Sequence, residues 1–375
     1  MRVGGPGTIP GAHAATGAVG LATVVVNPHW ESVMRGRSTL GVACMVYVCV
    51  GGGVCLAQSG DAMIDTIRSR TDIGESDQRR IADWMRDEIA GGRPFKEFRR
   101  RFSEQYNDAG NTQQFRTQFA VQATGVAAEK FRSGALIGDN AHAVAQALVD
   151  LKRIEVHPAL LVCLNAADVR ARYLCADGLV ELKRQIASDN ALFASTVEAL
   201  REAGRKEQSG VVLGRIYDAL AIPEKVGAVF ADYVQLLDAR LAVRRNGGAI
   251  NGGPELYAFE FFRLPAVRNA LDPNQKAQLV ARLAVFLRLD AARYAAPNLD
   301  FNEIDRLERT LDAAEEILAA LVPEGGGKIR DALSSGGVQA APTVMAEVYR
   351  WIGDANANSP GALNQPPWNV AVGAP

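Results

Sequence analysis

From Ser76 onward the apolar side chains recur at every third or fourth position, the spacing of one face of a helix. Ile81, Trp84, Met85 and Ile89 form the first stripe, which Ser76 or Asp77 can cap and Gly91-Gly92 ends. Pro94 suits a first helical position, and Phe95, Phe98, Phe102 and Tyr106 follow as a second stripe. Phe115, Phe119 and Val126 continue the spacing as far as Phe131. These stripes predict an N-terminal helical subdomain over residues 58–133, with a joint near 133–140, where Gly134 and Gly138 fall.

The same period runs through residues 140–352. Asn140 can cap a helix from Ala141 to Leu151, and His157–Ile186 reads as two helices joined by a turn at Asn165–Asp168. Asn190–Gly204 and Ser209–Ala221 fit a further hairpin, and Pro223 opens a long helix to Arg245. After the loop Asn246–Pro254 come short helices at Glu255–Phe262 and Pro265–Leu271. Asp272 caps Pro273–Tyr294, Asp300 or Asn302 caps a helix to Leu321, and Val344–Ile352 is the last stripe. Pro323–Gly327 breaks the chain, and the Asn-, Ala- and Pro-rich stretch 353–375 is expected to be a disordered tail. Runs of β-branched residues are rare after residue 60, which favours helix over strand. The predicted fold is all-α: an irregular, superhelix-like stack of antiparallel helical hairpins behind the N-terminal subdomain.

Within that stack, His157–Ile186 carries a specific pattern. Leu160-Leu161 and Leu164 lead into a turn with Asp168, then Val169-Arg170, then Ala176, Leu179 and Leu182. This hairpin resembles a HEAT-type helical repeat. The resemblance implies a scaffold of stacked hairpins in which Asp168, Val169 and Arg170 form the repeat signature, with Asp168 as helix cap and Arg170 packing between neighbouring hairpins. No second Asp-Val-Arg unit follows, so the likeness covers this hairpin alone.

The remaining features add compartment rather than chemistry. Arg35 and Arg37 precede an uncharged, mostly apolar run from Leu40 to Leu56, and Cys55-Leu56-Ala57 closes it with small residues where an export peptidase reads. That order defines a signal peptide over 34–57, cleaved near Ala57, and predicts a periplasmic or secreted protein. The run barely reaches the roughly 20 residues of a spanning helix, and Gly51–Gly53 weaken it further; an uncleaved anchor is the alternative. Gly41-Val42-Ala43-Cys44 lacks the leucine of a lipoprotein signal. Residues 1–33, Gly-, Ala- and Pro-rich with Glu31 as their one acid, are expected to be a disordered upstream extension, Met34 being the natural start. Cleavage would remove Cys44, Cys49 and Cys55 and leave Cys163 and Cys175. These two can form a disulfide if their Cα atoms come within about 7 Å; the simpler reading is two small buried apolar side chains.

The chain has 375 residues, 48% hydrophobic and 22% charged, with a formal net charge of -1, so no global field favours nucleic acid. Lys96, Arg99, Arg100 and Arg101 interleave with phenylalanines, but read as the solvated face of an aromatic stripe. Gly325-Gly326-Gly327-Lys328 lacks both the first glycine and the following Ser or Thr of a phosphate loop. His142 and His157 have no partners at metal-ligand spacing, and His157 before Pro158 reads as a helix start. No catalytic residue, cofactor or metal site is predicted. The favoured reading is an exported scaffold that binds protein. One alternative is an all-α hydrolase of envelope glycans using loop carboxylates among Glu255, Glu260, Asp300 and Glu303. Another is a binder of an apolar ligand between helices.

Overall fold

The computed structural model describes residues 60–248, 253–323, 325–335 and 340–371. The expected extension at 1–33 and leader at 34–57 lie outside the described residues. Sixteen α-helices and no strand occur among the described residues. In the first half these are α1 (Gly60–Ile67), α2 (Glu75–Ala90), α3 (Phe95–Asn107), α4 (Gln113–Arg132), α5 (Gly138–Asp150), α6 (His157–Cys163), α7 (Val169–Ser188) and α8 (Asn190–Lys206). Then come α9 (Gly210–Leu220), α10 (Val226–Arg245), α11 (Glu255–Arg263), α12 (Pro265–Ala270), α13 (Pro273–Tyr294), α14 (Phe301–Leu321), α15 (Ile329–Ser334) and α16 (Ala341–Ile352). Short polar side chains start many of them. Asp168 accepts from the Arg170 and Ala171 amides, Asp189 from Ala191 and Leu192, Asp300 from Glu303, and Asp272 forms a capping box with Gln275. Each such cap is worth about 1 kcal/mol.

The helices pack as two rows. α3, α5, α7, α9, α11 and α14 lie side by side in the first; α2, α4, α6, α8, α10, α13 and α16 form the second. Ion pairs fix their direction. Arg170 near the start of α7 reaches Asp139 near the start of α5 (2.9 Å), and Glu181 farther along α7 meets Lys152 just past α5 (3.7 Å). Arg172 pairs with Glu207 (2.7 Å), Arg215 with Asp177 (3.2 Å) and Lys183 with Asp218 (3.2 Å), so α7 and α9 run parallel in the same way. In the second row, Arg201–Asp232 (3.4 Å) links α8 to α10 and Arg282–Asp238 (2.8 Å) links α10 to α13. Successive helices alternate between rows, which is the stack of antiparallel hairpins predicted from the sequence. Between the rows the apolar stripes meet. Phe119 stands edge-on to Phe102 at 5.1 Å, and Tyr233 stacks on Phe261 at 5.0 Å. Burying a side chain of this size stabilises by about 1.5–3 kcal/mol.

Three expectations change. The helices expected as a separate subdomain over 58–133 belong to the one compact unit that the described residues from Gly60 onward form. The joint near Gly134 does not interrupt the rows: Phe95 of α3 stacks on His142 of α5 at 4.7 Å, and Arg99 bridges to Asp150 at 2.6 Å. Nor does Asn140 cap α5, which starts earlier, at Gly138, with Ile137 in the cap position. The segment 353–371, expected to be disordered, is ordered against α16. Asp354 and Ser359 pair through their backbones, Leu363 is fully buried, and the Asn364 side chain accepts from Gly361 and donates to the Val370 carbonyl, each at 2.7 Å. The Asp354 and Asn364 side chains bond the segment's own backbone, so a composition typical of disorder here builds compact turns.

His157 opens α6, as expected, and is buried at 2% exposure with Nε2 2.6 Å from the Thr196 hydroxyl of α8. Burial holds its imidazole below the usual 6.5. The unfolded chain therefore takes up the proton first as pH falls. The histidine's contribution to stability is intact above about pH 6.5 and is lost as pH drops from there toward the lowered folded value. Urea titrations between about pH 7.5 and 5.5 should show the parent losing more stability than His157→Gln. Equal losses would show that this histidine is not the titrating group.

Candidate functional site

The residues singled out by sequence go to separate places. Cys163 and Cys175, both fully buried, are joined as a disulfide with Cα atoms 6.0 Å apart, tying α6 to α7. The simpler reading of two free apolar side chains gives way because the short α6 and the start of α7 stand in register across the turn. Asp168 caps α7; Arg170 pairs with Asp168 and Asp139; Val169 is 40% exposed. Arg99, Arg100 and Arg101 pair with Asp150, Glu104, and Glu88 with Asp61, respectively. The glycines before Lys328 serve close packing: a Cβ on Gly326 would lie 2.2 Å from the Trp351 ring, and one on Gly327 2.0 Å from the Glu347 carbonyl oxygen.

The four carboxylates of the hydrolase alternative have different tasks. Asp300 caps α14, and Glu303 pairs with Arg293 at 2.6 Å. Glu255 is sealed between Arg240 and Arg244, each at 2.9 Å, and Arg244 also binds Asp290 and lies over the Phe286 ring. Burial raises the Glu255 carboxyl, but Arg244 and Arg240 more than offset it and hold it below the usual carboxylate range. This buried cluster joins α10 and α13 of the second row to the start of α11 in the first. Only Glu260, paired with Arg263 at 2.8 Å, reaches the groove that α11 helps to form.

That groove, of about 480 Å³, lies across α7, the end of α9, and α11. Ile222 and Phe261 supply apolar wall, and Tyr257 and Leu264 stand 43% and 44% exposed beside it. Glycine at 214 is what lets the Tyr257 ring lie against α9, since a Cβ there would come 2.6 Å from the ring. Arg184 stands on the α7 side; Glu224 and Glu260 stand on the other.

Tyr257 also belongs to a longer pattern. Of the seven large hydrophobic side chains exposed among the described residues, five sit at the N-terminal ends of first-row helices. They are Ile137 (68%) capping α5, Val169 opening α7, Val211 (62%) in α9, Tyr257 in α11, and Phe301 (83%) opening α14. These helices run parallel but start at different levels, and Tyr257 stands well along the row, beside Lys183 and Arg184 of α7 and against Gly214 of α9. Sequence reasoning singled out Val169 alone among them, as part of a repeat signature, although Val211 and Phe301 also carry a signal. Val211 falls beside the stripe of Val212, Ile216 and Leu220, and Phe301 directly follows the cap. An apolar residue out of step with its stripe faces outward.

No group of three or more His, Cys, Asp or Glu side chains among the described residues could hold a metal ion. No protein-family model, curated protein sequence or solved structure matches the chain.

Proposed function

We propose that this chain is an exported helical scaffold, without catalysis of its own, that binds a protein partner in the groove of its first row. The observation that carries the reading is that two of the exposed large apolar side chains, Tyr257 and Leu264, stand together beside that groove. Scattered single exposures are ordinary, whereas grouped ones beside a groove mark a contact surface. The aromatic anchor Tyr257, flanked by Arg184, Glu224 and Glu260, has the make-up of an interface core with a charged rim. Export is supported by the residue order of 34–57, and a scaffold by the HEAT-like hairpin at 157–186.

A photocrosslinking side chain placed at Leu264 should capture one partner in producing cells, and one placed at Tyr257 should capture the same partner. Val121, an equally apolar exposed position on α4 of the second row, should not. With that partner purified, Tyr257→Ala should weaken binding by roughly 2 kcal/mol, about 30-fold. The same adduct from Val121, or none from the first-row positions, would defeat the proposal.

A further inference from the structure

The two walls of the first-row groove carry opposite charge. On the α7 wall Lys183 is held by Asp218 at 3.2 Å, whereas the exposed Arg184 has no ion-pair partner among the described residues. On the opposite wall Glu224, exposed in the short turn after α9, likewise has none. Glu260 pairs with Arg263 of its own helix, and Arg263 also binds Glu316. Tyr257 and Leu264 stand on this acidic wall, and Ala187 follows Arg184 at helical spacing on the basic one.

A partner of a single charge sign would be repelled by one wall or the other. A second copy of the chain carries both signs at the same separation. A two-fold rotation sets the basic wall of each copy against the acidic wall of the other. Arg184 then faces Glu224 and Glu260 twice, and the Ala187 side of α7 covers Tyr257 and Leu264 twice. The formal net charge of -1 leaves little overall repulsion between copies. We infer, on the reading of the groove as a protein-binding surface, that its occupant is a second copy of this chain in a two-fold dimer.

Sedimentation of the full chain at about 10 μM should give twice the mass of one chain, as for an interface of ordinary affinity. Arg184→Glu makes both walls acidic, and Glu224→Arg with Glu260→Arg makes both basic. Each variant should weaken its own dimer roughly a hundredfold, since like charges then meet twice. Mixed in equal amounts, the two variants should pair with each other, and all three changes in one chain should restore the homodimer. The three positions are exposed, and recovery in the mixture requires folded chains, so misfolding is told apart from a lost contact. A monomer up to about 100 μM overturns the inference. So does a dimer that both charge variants leave intact, or a mixture that does not recover. Photocrosslinking from Tyr257 separates the dimer from the broader reading. An adduct of the chain with itself supports both. An adduct with a different protein alone overturns the dimer and leaves the groove a binding surface, and no adduct overturns both.

Discussion

Replacing Glu255 by alanine is expected to lower folding stability by about 3–5 kcal/mol, because it strands two buried arginines. Glu255 is fully buried, while Arg240 and Arg244 are 7% and 8% exposed. Both of its oxygens are in use, one on each guanidinium. With the carboxylate gone, Arg240 loses its bonded partner and Arg244 keeps only Asp290 and the Phe286 ring. The loss is a large share of the 5–15 kcal/mol by which folded domains are usually stable. Replacing Glu255, Arg240, Arg244 and Asp290 together by leucines and methionines should recover most of it, since a well-packed apolar set can stand in for a buried ion cluster. Urea denaturation of the single and quadruple variants reads both effects; a cost under about 1 kcal/mol for the single change would mean that the cluster does not hold α11. The pH dependence has a definite sign. The folded carboxyl lies below its unfolded value of 4.5, so its contribution is complete above that pH and is lost as pH falls through the lowered folded value. Glu255→Ala should therefore flatten the acid limb of the stability curve.

The second large effect is expected from Cys163→Ala combined with Cys175→Ala. Closing a loop of this length, with a sequence separation of 12, restricts the unfolded chain by about 3 kcal/mol. Because both sulfurs are fully buried, the alanine pair adds a packing loss to that figure. The double variant should melt lower than the parent under oxidising conditions, and the gap should narrow to the packing loss when both are unfolded in reductant. Identical melting in the absence of reductant would show that the bridge contributes nothing to the unfolded-state restriction.

Helix positions were legible because they rest on short-range chemistry. The stripes at three- and four-residue spacing and the caps at Asp168, Asp272 and Asp300 involve neighbours in the chain. The arginine cluster was not legible. Arg240 and Arg244 fall one turn apart, as on any solvated face, and their partners lie 15, 11 and 46 residues away. Sequence spacing cannot separate a buried guanidinium from an exposed one until those partners are placed. The continuity of the rows across Gly134 was hidden for the same reason, since it depends on Phe95 meeting His142. The candidate surface was hidden too: Tyr257 and Leu264 meet the far half of α7 only once α7, α9 and α11 lie side by side.

A stack of hairpins has no intrinsic stopping point: the last helix offers the next one the same kind of apolar face that its predecessor offered it. Here α16 offers none. Trp351 is 1% exposed, held by Glu315 through its indole nitrogen, and the turn after Gly353 folds back so that Leu363 joins the core. The segment 353–371 thus covers the apolar face of α16, so that this end of the row presents its turns to solvent and no bare stripe for a further helix.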